Sequence, residues 1–218
     1  MSGMFSTIAA RYDLMNDLVS LGQDRWWRAH LVDALAPQPG EVILDLAAGT
    51  GASSIPIARL GASVVSTDLT EAMVLVGSSR HPGHIFVVGD ALRLPYRDEV
   101  FDAATISFGL RNVADPVKVL NELTRVVRPG GTLLVCEFST PTSAPTRLVH
   151  RQWLSHAIPV LTKISSSDAM AYSYLCDSIR EWPDQRGLAS MLEAAGWQDI
   201  QWRNLTGGIV ALHRASRP

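Results

Sequence analysis

From position 41 onward, apolar residues come in short unbroken runs, and each run gives way to a stretch with helical spacing. The runs near 41–46, 63–68, 85–89, 101–107 and 132–138 have the length and the Val, Ile and Leu content of strands buried on both faces. Between them, 51–60, 71–79 and 116–127 carry apolar residues three and four apart, which predicts helices. The last of these is well punctuated, with Asp115 as N-cap, Pro116 in the first turn and Arg128-Pro129-Gly130-Gly131 as the stop. Such alternation predicts an α/β fold, a parallel sheet covered by helices on both faces.

The two ends depart from that rhythm. Before Gly40 the patterns at 5–19 and 24–35 read as two helices outside the sheet, so 1–36 is an N-terminal helical extension. Near the other end, Trp197–Asn204 and Gly207–His213 read as two strands joined through Leu205-Thr206-Gly207-Gly208, an antiparallel hairpin. An insertion at 141–182, broken by Pro141, Pro145 and Pro159, carries Trp153, Leu154, Ile158, Leu161, Met170, Tyr172 and Tyr174 and is expected to cover a substrate. A chain of 218 residues with 47% apolar content fits one domain, 1–218.

Charge and cysteine content narrow the function classes. The formal net charge of -2, with no run of Lys or Arg, gives no general attraction for nucleic acid. Cys136 and Cys176 read as buried thiols that suit a reducing cytoplasm. Residues 1–13 lack the pattern of a signal peptide, and no apolar run reaches the roughly 20 residues of a membrane span. The expectation is a cytoplasmic protein, with peripheral contact to a membrane left open. The six histidines are scattered singly, so no metal is expected, and His156 and His213 read as structural.

Chemistry concentrates at the strand ends. Val42-Ile43-Leu44-Asp45-Leu46 opens directly into Ala47-Ala48-Gly49-Thr50-Gly51, a turn almost bare of side chains. The next two runs end in Asp68 and Asp90, which puts three carboxylates at three successive strand ends, where ligands of parallel sheets lie. Carboxylates there accept hydrogen bonds from hydroxyls and amines and repel pyrophosphate. S-adenosylmethionine offers an ammonium, a sulfonium, a ribose diol and an adenine amine. A dinucleotide is the alternative, but its G-x-G-x-x-G pattern fails at the third glycine, where Ser54 stands. Gly49, Thr50, Gly51 and Asp45 are therefore candidate cofactor residues, although Asp45 acts equally well by orienting amides of the glycine turn. Asp68 suits ribose hydroxyls under either reading. Asp90-Ala91, followed by Leu94-Pro95, suits an adenine amine with a small residue against the ring, while Asp90 alone also reads as a cap or turn former. Ser107 closes the fourth strand at the same edge, as a ligand contact or as a plain strand-end serine.

Ser107-Phe108-Gly109-Leu110-Arg111-Asn112-Val113 resembles the signature of the ubiquinone/menaquinone biosynthesis C-methyltransferases. The resemblance extends through Arg11-Tyr12-Asp13-Leu14-Met15-Asn16-Asp17, Glu137-Phe138-Ser139, a late helix at Ser178–Gln185 and a terminal hairpin at Asn204–His213. It implies the class I S-adenosylmethionine-dependent methyltransferase fold, seven-stranded with an antiparallel last strand. It also implies cofactor contacts at Thr50, Asp68, Asp90, Ala91 and Ser107. The implied reaction is methylation of a ring carbon of a prenylated hydroquinone of the demethylmenaquinol type. Ala48 and Ala52 depart from the family, where glycine and aspartate are usual. Ring methylation needs the phenolate form of the acceptor. Arg111 is the candidate to stabilise that oxyanion, since a guanidinium stays charged, and Asn112 the candidate to hold a water or the second oxygen. Tyr12 and Asp13 are candidates to orient the ring or pass the proton. Each has a plainer reading: Arg111 paired with a surface acid, Asn112 in a turn, Tyr12 packed under the first helix. Trp26-Trp27 read either as a membrane-contact surface or as core. Another quinone-like phenol as acceptor, a nicotinamide oxidoreductase, a cofactor-binding scaffold and a homodimer remain open.

Overall fold

A computed structural model describes Asp17 and residues 20–153 and 169–218. Seven strands form one sheet: β1 (Val42–Leu46), β2 (Ser63–Asp68), β3 (Ile85–Val88), β4 (Phe101–Ser107), β5 (Val127–Phe138), β6 (Gln198–Leu205) and β7 (Val210–Ser216). Their spatial order is β3-β2-β1-β4-β5-β7-β6, and β7 runs antiparallel to both of its neighbours. The other neighbouring pairs are parallel. Strand order reverses between β1 and β4, which opens a crevice at their carboxyl ends.

Helices α1 (Gln23–Leu35), α2 (Ser54–Ala58), α3 (Glu71–Arg80), α4 (Pro116–Val126), α5 (Ala144–Gln152), α6 (Ala169–Glu181) and α7 (Gln185–Ala194) accompany the sheet. On one face α4 contributes Val119, Leu120, Leu123 and Val126, all fully buried, against Leu188 and Leu192 of α7. Each such side chain stabilises the fold by about 1.5–3 kcal/mol through burial. The opposite face packs Trp27 and Leu31 of α1 and Ile57 of α2 on Ile43, Val64 and Leu134.

Three elements differ from their sequence expectation. The helix expected over 51–60 is confined to Ser54–Ala58, because Gly51 sits at φ 94° and Pro56 brings no N–H to extend the ladder. Strand β5 starts at Val127, immediately after α4, and Arg128–Gly131 form a bulge: Phe101 pairs with Val127, but Ala103 pairs with Thr132. Gly130 N–H donates to the Arg217 carbonyl and Arg217 N–H to that of Gly131, so the glycines tie the bulge to the chain end. The late helix expected at 178–185 is two helices, broken at Trp182-Pro183, with the Asp184 carboxylate capping α7 by accepting from Gly187 N–H at 2.9 Å. No helix among the described residues is long and apolar enough to cross a membrane.

Candidate active site

The turn after β1 needs left-handed backbone at Ala47, Gly49 and Gly51, with φ of 54°, 57° and 94°. Asp68, at the end of the neighbouring strand, clamps it. One oxygen accepts from Gly49 N–H at 2.9 Å and the other from Thr70 N–H at 2.8 Å. Gly109 closes the floor, since a Cβ built there would lie 2.4 Å from Cβ of Ala47. Above this floor is a cavity of about 280 Å³ bordered by Gly49, Thr50, Asp68, Asp90, Ala91, Ser107 and Asn112 among others. Asp90 borders the cavity, and its carboxylate accepts from Leu92 N–H at 2.9 Å, as the turn-forming reading expects.

Asp45 and Gly51 are corrections to the expected wall. Asp45 is 1% exposed and takes hydrogen bonds from Ser54 Oγ at 2.5 Å and Thr105 Oγ1 at 2.8 Å, beneath the turn. It neither borders the cavity nor orients the glycine amides. Burial pushes its carboxyl above the usual range, and the two hydroxyls pull it back. Gly51 likewise faces the interior, where a Cβ would meet the Phe86 ring at 2.9 Å.

A second cavity, about 270 Å³, lies on the far side of Phe108 and Arg28. Trp27, Phe138, Trp153, Leu175 and Ile179 give it an apolar wall, in which Arg111 is embedded. Phe108 holds φ 57°, unusual for a bulky residue, and its carbonyl accepts from side chains three and four positions on. Arg111 Nη1 donates to that carbonyl at 2.6 Å and Asn112 Nδ2 at 3.3 Å. Arg111 Nη1 also pairs with Glu137 at 2.8 Å, so its acid partner is buried and not at the surface as the plainer reading has it. Asn112 faces the first cavity and its Oδ1 accepts from Tyr174 O–H at 3.2 Å, so the short turn Leu110–Asn112 presents one side chain to each cavity. Tyr12 and Asp13 lie outside the described residues, as does His156.

Sequence reasoning missed Arg28, Asp24, Phe108 and Glu137 as site residues. Arg28 Nε bonds both oxygens of Asp24, at 3.1 and 3.0 Å, and its Nη1 donates to Ser53 Oγ at 2.7 Å. Ser53 in turn donates to Ser107 Oγ at 3.2 Å. The Asp24–Arg28 spacing of four residues in a helix was a legible signal. So was Glu137, an acid inside an otherwise apolar strand. The tryptophan pair divides: Trp27 is buried, with Nε1 bonded to Thr206 Oγ1 at 2.8 Å, whereas Trp26 is half exposed. His213 is structural, its Nε2 bonded to the Gln185 carbonyl at 2.9 Å, and burial lowers its pKa. No cluster of metal-ligating side chains occurs among the described residues.

The first cavity fits a cationic nucleoside. Two carboxylates, Asp68 and Asp90, share its wall with Leu69, Met73, Ala91 and Val113, and Arg28 is the cationic side chain on it. Diol and amine donors suit those carboxylates, while the apolar residues suit a purine. A pyrophosphate would face both acids.

This sheet order, with an antiparallel β7 and a cavity at the β1/β4 switch point, is that of the class I S-adenosylmethionine-dependent methyltransferases. A SAM-dependent methyltransferase from Thermotoga maritima shares the fold with a TM-score of 0.70 over 100% of both chains, at 18% identity. The profile of the ubiE/COQ5 methyltransferase family matches residues 1–217, and the chain belongs to that family. It is 52% identical to a demethylmenaquinone methyltransferase of Streptomyces griseus, over 99% of this chain and 94% of that one. It is 55% identical to another from Beutenbergia cavernae, over 99% and 90%. The protein is thus an S-adenosylmethionine-dependent methyltransferase.

Proposed function

We propose that this enzyme methylates a ring carbon of a prenylated demethylmenaquinol, giving menaquinol. The observation that carries the reading is the pair of cavities meeting at Phe108, one with the carboxylates Asp68 and Asp90 in its wall, the other largely apolar with Arg111 embedded in it and Arg28 at the boundary. Identity above half to named demethylmenaquinone methyltransferases over nearly the whole chain supports the same acceptor.

When bound, S-adenosylmethionine supplies an electrophilic methyl group on a positively charged sulfur. Asp68 holds the ribose diol and Asp90 the adenine amine, with Ala91 against the ring. Gly49 and Thr50 form the turn beneath, and Ser107 stands at the strand end. Arg111 stabilises the oxyanion that forms as the hydroquinol gives its hydroxyl proton to water and pushes density into the ring; a fixed cation in an apolar wall is well suited to this. Asn112, on the adjoining wall, holds a water or the second oxygen. Tyr12 acts on the acceptor or its proton.

The described parts of the segment 141–182, residues 141–153 and 169–182, flank the acceptor. Val149, His150 and Trp153 of its first half and Leu175 and Ile179 of its second border the apolar cavity. Helix α5 exposes Leu148 and Val149 beside Arg147 and Arg151, which suits contact with an anionic bilayer from which a polyprenyl substrate is drawn. Flotation with phosphatidylglycerol vesicles tests that contact: recovery with the vesicles supports it, and recovery only in the soluble fraction overturns it.

Incubation of the purified protein with S-adenosylmethionine and a reduced demethylmenaquinone in detergent, followed by mass spectrometry, tests the reaction. The expected product carries one added methyl on the naphthol ring. Turnover of unprenylated phenols in preference to that acceptor would move the assignment to another phenol methyltransferase.

A further inference from the structure

Glu137 lies on β5, between the fully buried Cys136 and Phe138, and is itself 1% exposed. A carboxylate taken this far from water costs several kcal/mol unless it is well paired, and an apolar residue of similar volume is often no worse for stability. Its partners are specific. Glu137 Oε1 accepts from Arg111 Nη1 at 2.8 Å and from Phe138 N–H at 2.9 Å, and Oε2 accepts from Arg111 N–H at 3.4 Å.

The consequence falls on the guanidinium. Nη1 is committed twice, to Glu137 and to the Phe108 carbonyl, and Cζ lies 5.0 Å from the Phe138 ring centroid. The group is therefore fixed in position and in plane. Nε is buried without a hydrogen-bond partner, and Nη2 has none among the described residues. Leaving a buried donor unmatched costs about 1–3 kcal/mol. These two nitrogens form the side-on fork that arginine uses against oxyanions, and the residue sits in the wall of the apolar cavity.

We propose that Glu137 is a positioning residue for methyl transfer: by holding Nη1 it keeps the Nε/Nη2 side of Arg111 free for the acceptor oxygen. This rests on the reading of the second cavity as the hydroquinol site. Glu137 touches neither substrate nor cofactor in this arrangement, and it does not border the first cavity. Its contribution passes through Arg111.

The test is a kinetic cycle on the full chain with reduced demethylmenaquinone and S-adenosylmethionine. Glu137→Gln is expected to lower kcat about 10- to 100-fold, as expected for a displaced group that stabilises charge in the transition state. KM for S-adenosylmethionine is expected to stay within about threefold, since the first cavity is untouched. In an Arg111→Lys background, which keeps the charge and lacks the fork, Glu137→Gln is expected to cost less than about twofold in kcat. Losses that multiply in the double variant overturn the inference, as does a folded Glu137→Gln enzyme with kcat within about twofold of the parent. If Glu137→Gln does not fold by thermal unfolding, Glu137→Asp, which keeps the buried charge, is judged by the same criterion. Absence of turnover by the parent enzyme overturns the acceptor reading instead, so the two failures are distinguishable.

Discussion

The guanidinium of Arg28 lies over the ring of Phe108, with Cζ 5.3 Å from the ring centroid, and among the described residues these two alone border both cavities. Asp24 and Ser53 fix the cation, and left-handed backbone fixes the ring. Together they form the partition between the two cavities, across which the proposed reaction would carry a methyl group. Phe108→Leu keeps apolar volume and removes the aromatic face, so stability is expected to fall by about 1–2 kcal/mol from lost cation–π contact and imperfect repacking. Turnover is expected to fall further than that stability change accounts for, because the ring that separates the two cavities also holds Arg28 in place between them. Denaturant titration beside steady-state kinetics checks this, and parent-like kcat in the variant would show that the ring is mere packing.

Asp68 joins the turn after β1 to the start of α3 through two backbone amides, Gly49 N–H and Thr70 N–H. Removing the carboxylate loosens that clamp and, on the proposed reading, withdraws the acceptor for the ribose diol. A hydrogen bond to a charged group contributes about 1.5–3 kcal/mol, so Asp68→Ala is expected to weaken S-adenosylmethionine roughly 10- to 100-fold. Isothermal titration with the cofactor or its demethylated product reads this directly. Affinity within about threefold of the parent would place the diol elsewhere.

Asp45 offers a stability test with a defined sign. Its folded pKa is raised, chiefly by burial. Below the unfolded value of about 3.9 both states hold the proton and the residue costs nothing. As pH rises from there through the folded pKa, the unfolded state ionises first and stability is lost; above the folded pKa the loss is constant. Asn at this position keeps an acceptor for one hydroxyl and a donor for the other, matching Ser54 and Thr105. Asp45→Asn is therefore expected to melt higher than the parent near neutral pH, with the gap closing as pH falls toward 4. Melting curves across that range decide it, and a gap that does not change with pH would mean that the parent holds the charge there without penalty.

Much of this arrangement was legible in the sequence because apolar run length and punctuation act locally. The central strands, the Asp115 cap of α4 and the terminal hairpin follow from neighbours along the chain. The acids Asp68 and Asp90 were legible as cavity residues for the same reason, since each closes a strand at the edge where ligands lie. Asp45 was not. Its neighbours Ile43, Leu44 and Leu46 are all buried, so the run has no alternation from which to read which way an individual side chain points. The meeting of Phe108 and Arg28 was illegible for a different reason, although the Asp24–Arg28 spacing marked an ion pair: a left-handed residue at the end of β4 and a helix outside the sheet come together only after the chain has folded. The fault at 178–185 is instructive, because Trp182-Pro183-Asp184 carried a stop and a cap that outweigh the helical spacing on either side.

Gly109 tests how tightly the floor of the first cavity is built. A Cβ there would lie 2.4 Å from the Cβ of Ala47, and neither atom is the end of a flexible side chain that can swing aside. Ala47 is itself held at φ 54°, so relief requires the turn before Gly49 to move away from Asp68. Gly109→Ala is expected to cost about 1–3 kcal/mol through overpacking and to weaken S-adenosylmethionine by roughly tenfold as the turn is displaced. Ala47→Gly removes the colliding atom and relaxes the left-handed residue at once, so the double variant Ala47→Gly/Gly109→Ala is expected to regain most of both losses. Titration and melting of the four proteins in the cycle measure it. If the double variant binds as weakly as Gly109→Ala alone, the close approach of the two strand-end turns is not what shapes the cofactor site.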